Sequence, residues 1–196
     1  MNMKRLVKNR YSILAIAALM AAAPSRALAQ DHSHAGPGQE LLQDQKSKGG
    51  ALVRTVREAT ERFKDVAAAE AEGYHLLFGC VSGPDAGAMG MHFVNGPLVG
   101  DGVIDASKPE IVIYEPQADG SLRLIGADYL VLAAQWNATH SSAPELMGQL
   151  FHLFEAPNRF GLPDFYTLHV WAWKDSPTGT FVNWNTNVSC NAFSGQ

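Results

Sequence analysis

Phe165-Tyr166-Thr167-Leu168-His169-Val170-Trp171-Ala172-Trp173 is the stretch whose reading decides the fold. Side chains of a β-strand point alternately to the two faces of its sheet, so residues two apart share a face. Alternation places Phe165, Thr167, His169, Trp171 and Trp173 on one face, with Leu168, Val170 and Ala172 on the other. The aliphatic face suits packing against a helix. The His/Thr/Trp face suits the wall of a pocket, because ligand sites are mostly aromatic with a few placed polar groups.

Upstream, the helix such a sheet needs is visible. Leu52, Val56, Ala59, Phe63 and Val66 recur at three- and four-residue steps within Ala51–Glu72 and form one stripe. Gly73 follows where a left-handed cap would fall. The period then changes to two, and Tyr74–Val81, Gly90–Asn95, Glu110–Glu115 and Ser121–Ala133 read as strands alongside Phe165–Lys174. Pro116-Gln117-Ala118-Asp119-Gly120 between two of them is a hairpin loop with an Asp-Gly signal. Ser142-Ala143-Pro144-Glu145 has the form of a capping box, and Leu146, Leu150 and Leu153 after it predict a second helix ending before Pro157. The expected fold class is therefore α+β: one long N-terminal helix and a shorter second helix packed on an antiparallel sheet.

The chain begins differently. Met1–Ala29 holds five cations and no carboxylate, with a basic segment, the apolar run Ile13–Ala23 and the small-x-small pattern Ala27-Leu28-Ala29. This is the layout of a secretory signal peptide, 1–29. Gln30–Gly50 is polar and Gly-rich and reads as a flexible arm, leaving 51–196 as a single α+β domain. Cleavage after Ala29 leaves ten Lys+Arg against nineteen Asp+Glu, a net charge of −9. Such a surface is a poor match for nucleic acid or an anionic bilayer, both of which require a cationic patch. No later run approaches the roughly 20 apolar residues of a membrane span. The expected product is periplasmic or secreted, with a small-molecule ligand or a metal ion as partner. Cys80 and Cys190, the two cysteines, are in that compartment most simply a disulfide tying the chain end to the first strand.

All seven histidines lie beyond residue 30. Phosphate loops, G-x-S-x-G, H-E-x-x-H and EF-hand patterns are absent, so no motif names a reaction. His92, in Met89-Gly90-Met91-His92-Phe93-Val94-Asn95, shares a strand face with Val94, while Met91 and Phe93 face the other way. His152 and Glu155 are three apart at the end of the expected second helix, and Glu115 ends a strand. His92, His152 and His169 with Glu115 or Glu155 would form a nitrogen-rich set suited to zinc or copper, with a position open for water. Phe165, Trp171 and Trp173 would line the substrate side of that site. A histidine beside tryptophans is also often a core residue with its hydrogen bonds satisfied. Two other functions compete: a binding module with a Trp/Phe-lined cavity for an apolar or sugar ligand, and metal-free acid–base catalysis by Asp128 or Glu115 paired with a histidine. Gln30-Asp31-His32 offers a separate idea, since a free amine, two amides and an imidazole wrap Cu(II) in a plane.

Three segments together carry a resemblance: Met89–Asn95, Tyr114-Glu115-Pro116, and Leu168-His169-Val170-Trp171 followed by Val188-Ser189-Cys190. The chain resembles a group of exported bacterial proteins with MGxHxVN, YEP and LHVW…VSC segments. The resemblance implies export and a single domain, and brings no activity with it.

Overall fold

The computed structural model describes residues 37–195, so the expected signal peptide, His32 and His34 lie outside the described residues. Helix α1 runs Pro37–Thr60, continues through a 3₁₀ turn at Glu61–Lys64, and is followed by α2, Val66–Ala71. Asp65 caps α2 by accepting from the Ala67 amide at 3.0 Å. Gly73 has φ +92°, the left-handed stop its position predicted.

Strands β1 (Tyr74–Gly83), β2 (Gly87–Asn95), β3 (Ile111–Pro116), β4 (Leu122–Leu132), β7 (His152–Phe154) and β8 (Phe165–Val170) form one antiparallel sheet in the order β1-β2-β3-β4-β8-β7. Short helices α3 (Gly96–Asp101) and α4 (Ala133–Asn137) sit in the connections. A small separate hairpin pairs β5 (Glu145–Leu146) with β6 (Gln149–Leu150). The fold is thus α+β, with a long helix and shorter ones on an antiparallel sheet.

The sheet has two unlike faces, as the Phe165–Trp173 alternation required. Leu52 and Val56 of α1 pack on Ala127, Tyr129, Val131, Leu168 and Val170. Phe63 and Ala69, further along the same helical layer, pack on Tyr74, Met91, Phe93, Val112 and Tyr114. Two buried hydroxyls lock this layer to the backbone: Tyr114 Oη donates to the Phe63 carbonyl at 2.6 Å, and Tyr74 Oη to the Pro109 carbonyl at 2.7 Å. The opposite face gathers Ile111, Ile113, Ile125, Leu130, Phe165 and Trp171. A bulge after Ile113 lets both Ile113 and Ile125 turn to that side. The Cys80–Cys190 disulfide joins β1 to the end of the chain with a sequence separation of 110.

Three expectations are corrected. Residues 37–50, read as part of a flexible arm, are helical, with an Asp44–Lys48 ion pair at 2.8 Å on the exposed side. The helix runs on through Gly49-Gly50, and a Cβ at Gly49 would stand 3.1 Å from the ring of Phe181. The second helix is not at 142–153. Met147 and Gly148, both with positive φ, turn the chain back on itself, so the capping-box segment becomes the β5–β6 hairpin and His152 starts an edge strand. Finally, β8 stops at Val170. The Ala172 amide donates back to the Val170 carbonyl at 2.8 Å, which breaks the alternation and carries Trp173 to the helical side. There its Nε1 donates to Thr60 Oγ1 at 3.0 Å and the Lys64 ammonium lies 4.0 Å from its ring.

Candidate metal centre

Cross-strand register builds the site. His169 of β8 is the direct partner of Asp128 on β4, Asp128 is the partner of Ile111 on β3, and Ile113 two residues on is the partner of His92 on β2. Partners across a ladder share a face, so His92, Asp128 and His169 all project from the face away from the helix. In a flat sheet β2 and β4, two positions apart, would be about 10 Å apart, and β2 and β8, three apart, about 14 Å. One donor atom from each of these three residues nevertheless lies within 4.8 Å of the others, so the sheet is concave here. The two imidazole rings are 5.7 Å apart at an interplanar angle of 71°.

All three side chains are buried, each residue 3% exposed. His92 Nδ1 lies 3.1 Å from the Gly90 carbonyl, an arrangement that makes Nδ1–H the donor and leaves Nε2 with its lone pair free. Gly90 has φ +91°, and a Cβ there would meet the Tyr114 carbonyl at 2.7 Å, so only glycine presents that acceptor. Asp128 Oδ1 accepts from Thr167 Oγ1 at 2.5 Å. His169 Nδ1 is 3.4 Å from Asp128 Oδ1 but not aligned for a hydrogen bond, and neither ring nitrogen of His169 has a partner. Buried polar groups are nearly always hydrogen-bonded. An imidazole left unpaired at both nitrogens beside another imidazole and a carboxylate has the chemistry of a ligand awaiting an ion.

The protonation states agree. Burial pushes the His169 imidazole down to about 3, and nearby His152 pushes the same way. Burial likewise brings His92 down to about 4, with His169 adding to the shift and Asp128 opposing it. Burial raises Asp128 to about 6, against the Thr167 hydroxyl, which stabilises the carboxylate. At neutral pH both imidazoles are therefore uncharged and Asp128 is ionised, the forms that metal ligation uses. Three points no more than 4.8 Å apart all lie within about 2.8 Å (4.8 divided by √3) of a common centre. Contraction by less than about 1 Å brings them to the 2.0–2.1 Å of a zinc–nitrogen bond. The group could hold a metal ion.

The other expected site residues lie elsewhere. His152 is the cross-strand partner of Thr167 and so shares the donor face, but it is exposed on the edge strand and outside the close-set group. Glu155 is exposed in the loop after β7. Glu115 is buried away from the donors, held by Lys174 Nζ at 2.6 and 2.7 Å and by the Ser189 amide at 3.0 Å. It pins the chain end rather than serving a ligand. Phe165 does line the cavity in front of the donors. Trp171 stands beside His169, ring centres 5.9 Å apart, with its Nε1 donating to the Val182 carbonyl at 2.6 Å. Trp173 is on the other face of the sheet. The close-set group includes Asp128, which the expected ligand set did not. An aspartate inside the otherwise apolar run Ala127-Asp128-Tyr129-Leu130-Val131 was the signal for it.

No helix among the described residues is long and apolar enough to cross a membrane. No protein-family model, curated protein or solved structure matches the chain.

Proposed function

We propose that this chain is an exported metalloprotein that holds one divalent transition-metal ion through His92, Asp128 and His169. The observation that carries the reading is His169, sealed from water with both ring nitrogens unpaired, in a group whose donor atoms lie within 4.8 Å of one another. Two imidazoles and a carboxylate suit zinc or copper, the ions the histidine content first suggested, and extend the choice to ferrous iron. Gly90 and Thr167 orient His92 and Asp128 as outer partners orient metal ligands generally. Export is supported by the basic-apolar-small layout of 1–29 and by the Cys80–Cys190 disulfide, which belongs to an oxidising compartment. The resemblance to exported bacterial proteins points to export as well.

The test is elemental analysis of untagged protein purified after export. Copper, zinc or iron should be present at close to one ion per chain, and His92→Ala or Asp128→Ala should remove it. Protein without metal, whose melting temperature does not rise when any of the three ions is added, overturns the proposal.

A further inference from the structure

The donors face a cavity of about 20 Å³, scarcely more than one water-sized sphere requires. Its outer wall is aromatic. Phe154 and Phe165 stack with ring centres 5.2 Å apart, Phe160 meets Phe165 edge-on at 6.1 Å, and Phe78 meets Phe160 edge-on at 5.3 Å. Phe78 comes from a bulge in β1, where the pairing with β2 slips between Leu76 and Cys80. Phe160 comes from the β7–β8 connection. Arg159 pins that connection in place: both its Nη atoms donate to the Ser82 carbonyl at 3.1 Å, and its guanidinium lies 5.7 Å from the ring centre of Trp184.

The chemistry of the lining is as restrictive as its size. Apart from the three donors, Thr167 is the one hydrogen-bonding side chain on the wall, and its hydroxyl proton is committed to Asp128. Any hydroxyl, amide or charged group on an incoming organic molecule would be left unpaired, at about 1–3 kcal/mol each. The space has no room for such a molecule in any case.

Resting on the metal reading above, the geometry points to a diatomic ligand, dioxygen being the chemical type, for the metal position that His92, Asp128 and His169 leave open. The phenylalanine wall excludes ligands as large as a five-membered ring. The donors thus form a ferrous-type pocket for a small apolar molecule, rather than a cleft for an organic substrate.

The experiment uses the exported chain loaded anaerobically with ferrous iron, with nitric oxide as the diatomic probe and imidazole as the ring-sized one. Nitric oxide should give the electron paramagnetic resonance signal of a ferrous–nitrosyl adduct. Excess imidazole should leave that signal unchanged in the parent. It should reshape or suppress the signal in Phe160→Ala and in Phe78→Ala, which open the wall from two sides, at a concentration at least about tenfold lower than any effect on the parent. Imidazole acting on the parent as it acts on both variants overturns the inference, as does iron that binds without yielding a nitrosyl adduct. A chain that refuses ferrous iron while retaining zinc or copper also overturns it and leaves the metal reading standing. A chain that takes up no metal at all overturns both.

Discussion

Replacing His169 by leucine should make the metal-free protein more stable, and this is the sharpest consequence of the site. In most cores a buried histidine donates or accepts, and its loss destabilises. Here both ring nitrogens are buried without a partner, and Ile111, Leu130, Phe165 and Trp171 share the ring's surroundings with His92 and Asp128. An unsatisfied buried polar group costs about 1–3 kcal/mol, and replacing it by an apolar group of similar shape removes that cost. Asp128 keeps its bond from Thr167 in the variant, so no new orphan is created. For a domain of this size about 1 kcal/mol corresponds to roughly 2–4 °C in Tm. His169→Leu in EDTA should therefore melt several degrees above the parent. With metal at a thousandfold excess over its Kd, the parent should gain about 4.1 kcal/mol and the variant nothing, so the ranking reverses. Differential scanning calorimetry with and without EDTA reads both halves. A variant that melts below the metal-free parent would show His169 to be an ordinary satisfied core residue, and the reasoning would fail.

Thr167→Val keeps the shape of the side chain but removes the donor to Asp128, so it should destabilise by about 1–3 kcal/mol in urea denaturation and weaken metal affinity by roughly 10–100-fold in a competition titration. Glu110, buried with its Oε2 accepting from the Leu130 amide, is pushed by burial up to about 8. Its folded-state value lies above the unfolded one, so its contribution to stability is complete below about 4.5 and is lost as pH rises through about 8. Glu110→Gln should accordingly match the parent near pH 5 and exceed it near pH 9 in thermal melts, and an unchanged pH profile would refute the assignment. Cys80→Ser with Cys190→Ser should cost about 4–5 kcal/mol in the chain-entropy view, because the bridge closes a 110-residue separation. Equal urea midpoints for the oxidised and double-serine proteins would count against that.

What could be read from the chain depended on whether the deciding information was local. The two faces of Phe165–Val170, the stripe Leu52–Val56–Phe63, the stop at Gly73 and the placement of His92 opposite Met91 and Phe93 follow from periodicity within one element. All of them hold. The place of Asp128 in the candidate site could not be read the same way, because its meeting with His169 is set by the β4–β8 register, a pairing between residues 41 positions apart. His152 and Glu155 were misplaced by a local conflict. Ser142–Glu145 and the leucines after it imitate a helix start, whereas the Met147-Gly148 turn, with φ 49° and 80°, sends the chain into a hairpin. Trp173 was lost to the turn at Ala172, one residue of irregularity being enough to invert a face. The start of the long helix was missed because residues 38–48 are exposed and so carry no apolar stripe to see.

The double use of each central strand has an evolutionary consequence. Met91 and Phe93 alternate with His92, Ala127 and Tyr129 with Asp128, and Leu168 and Val170 with His169, so helix packing and the His-Asp-His group are interleaved letter by letter. Inserting or deleting one residue in any of these strands would exchange the two sets, driving imidazole into the helical layer and hydrocarbon into the cavity. Descendants of this chain should therefore vary within 91–93, 127–129 and 168–170 by substitution alone and take up their changes of length in the connections. A gap falling inside those segments would mark a relative that keeps the fold without the His92–Asp128–His169 group.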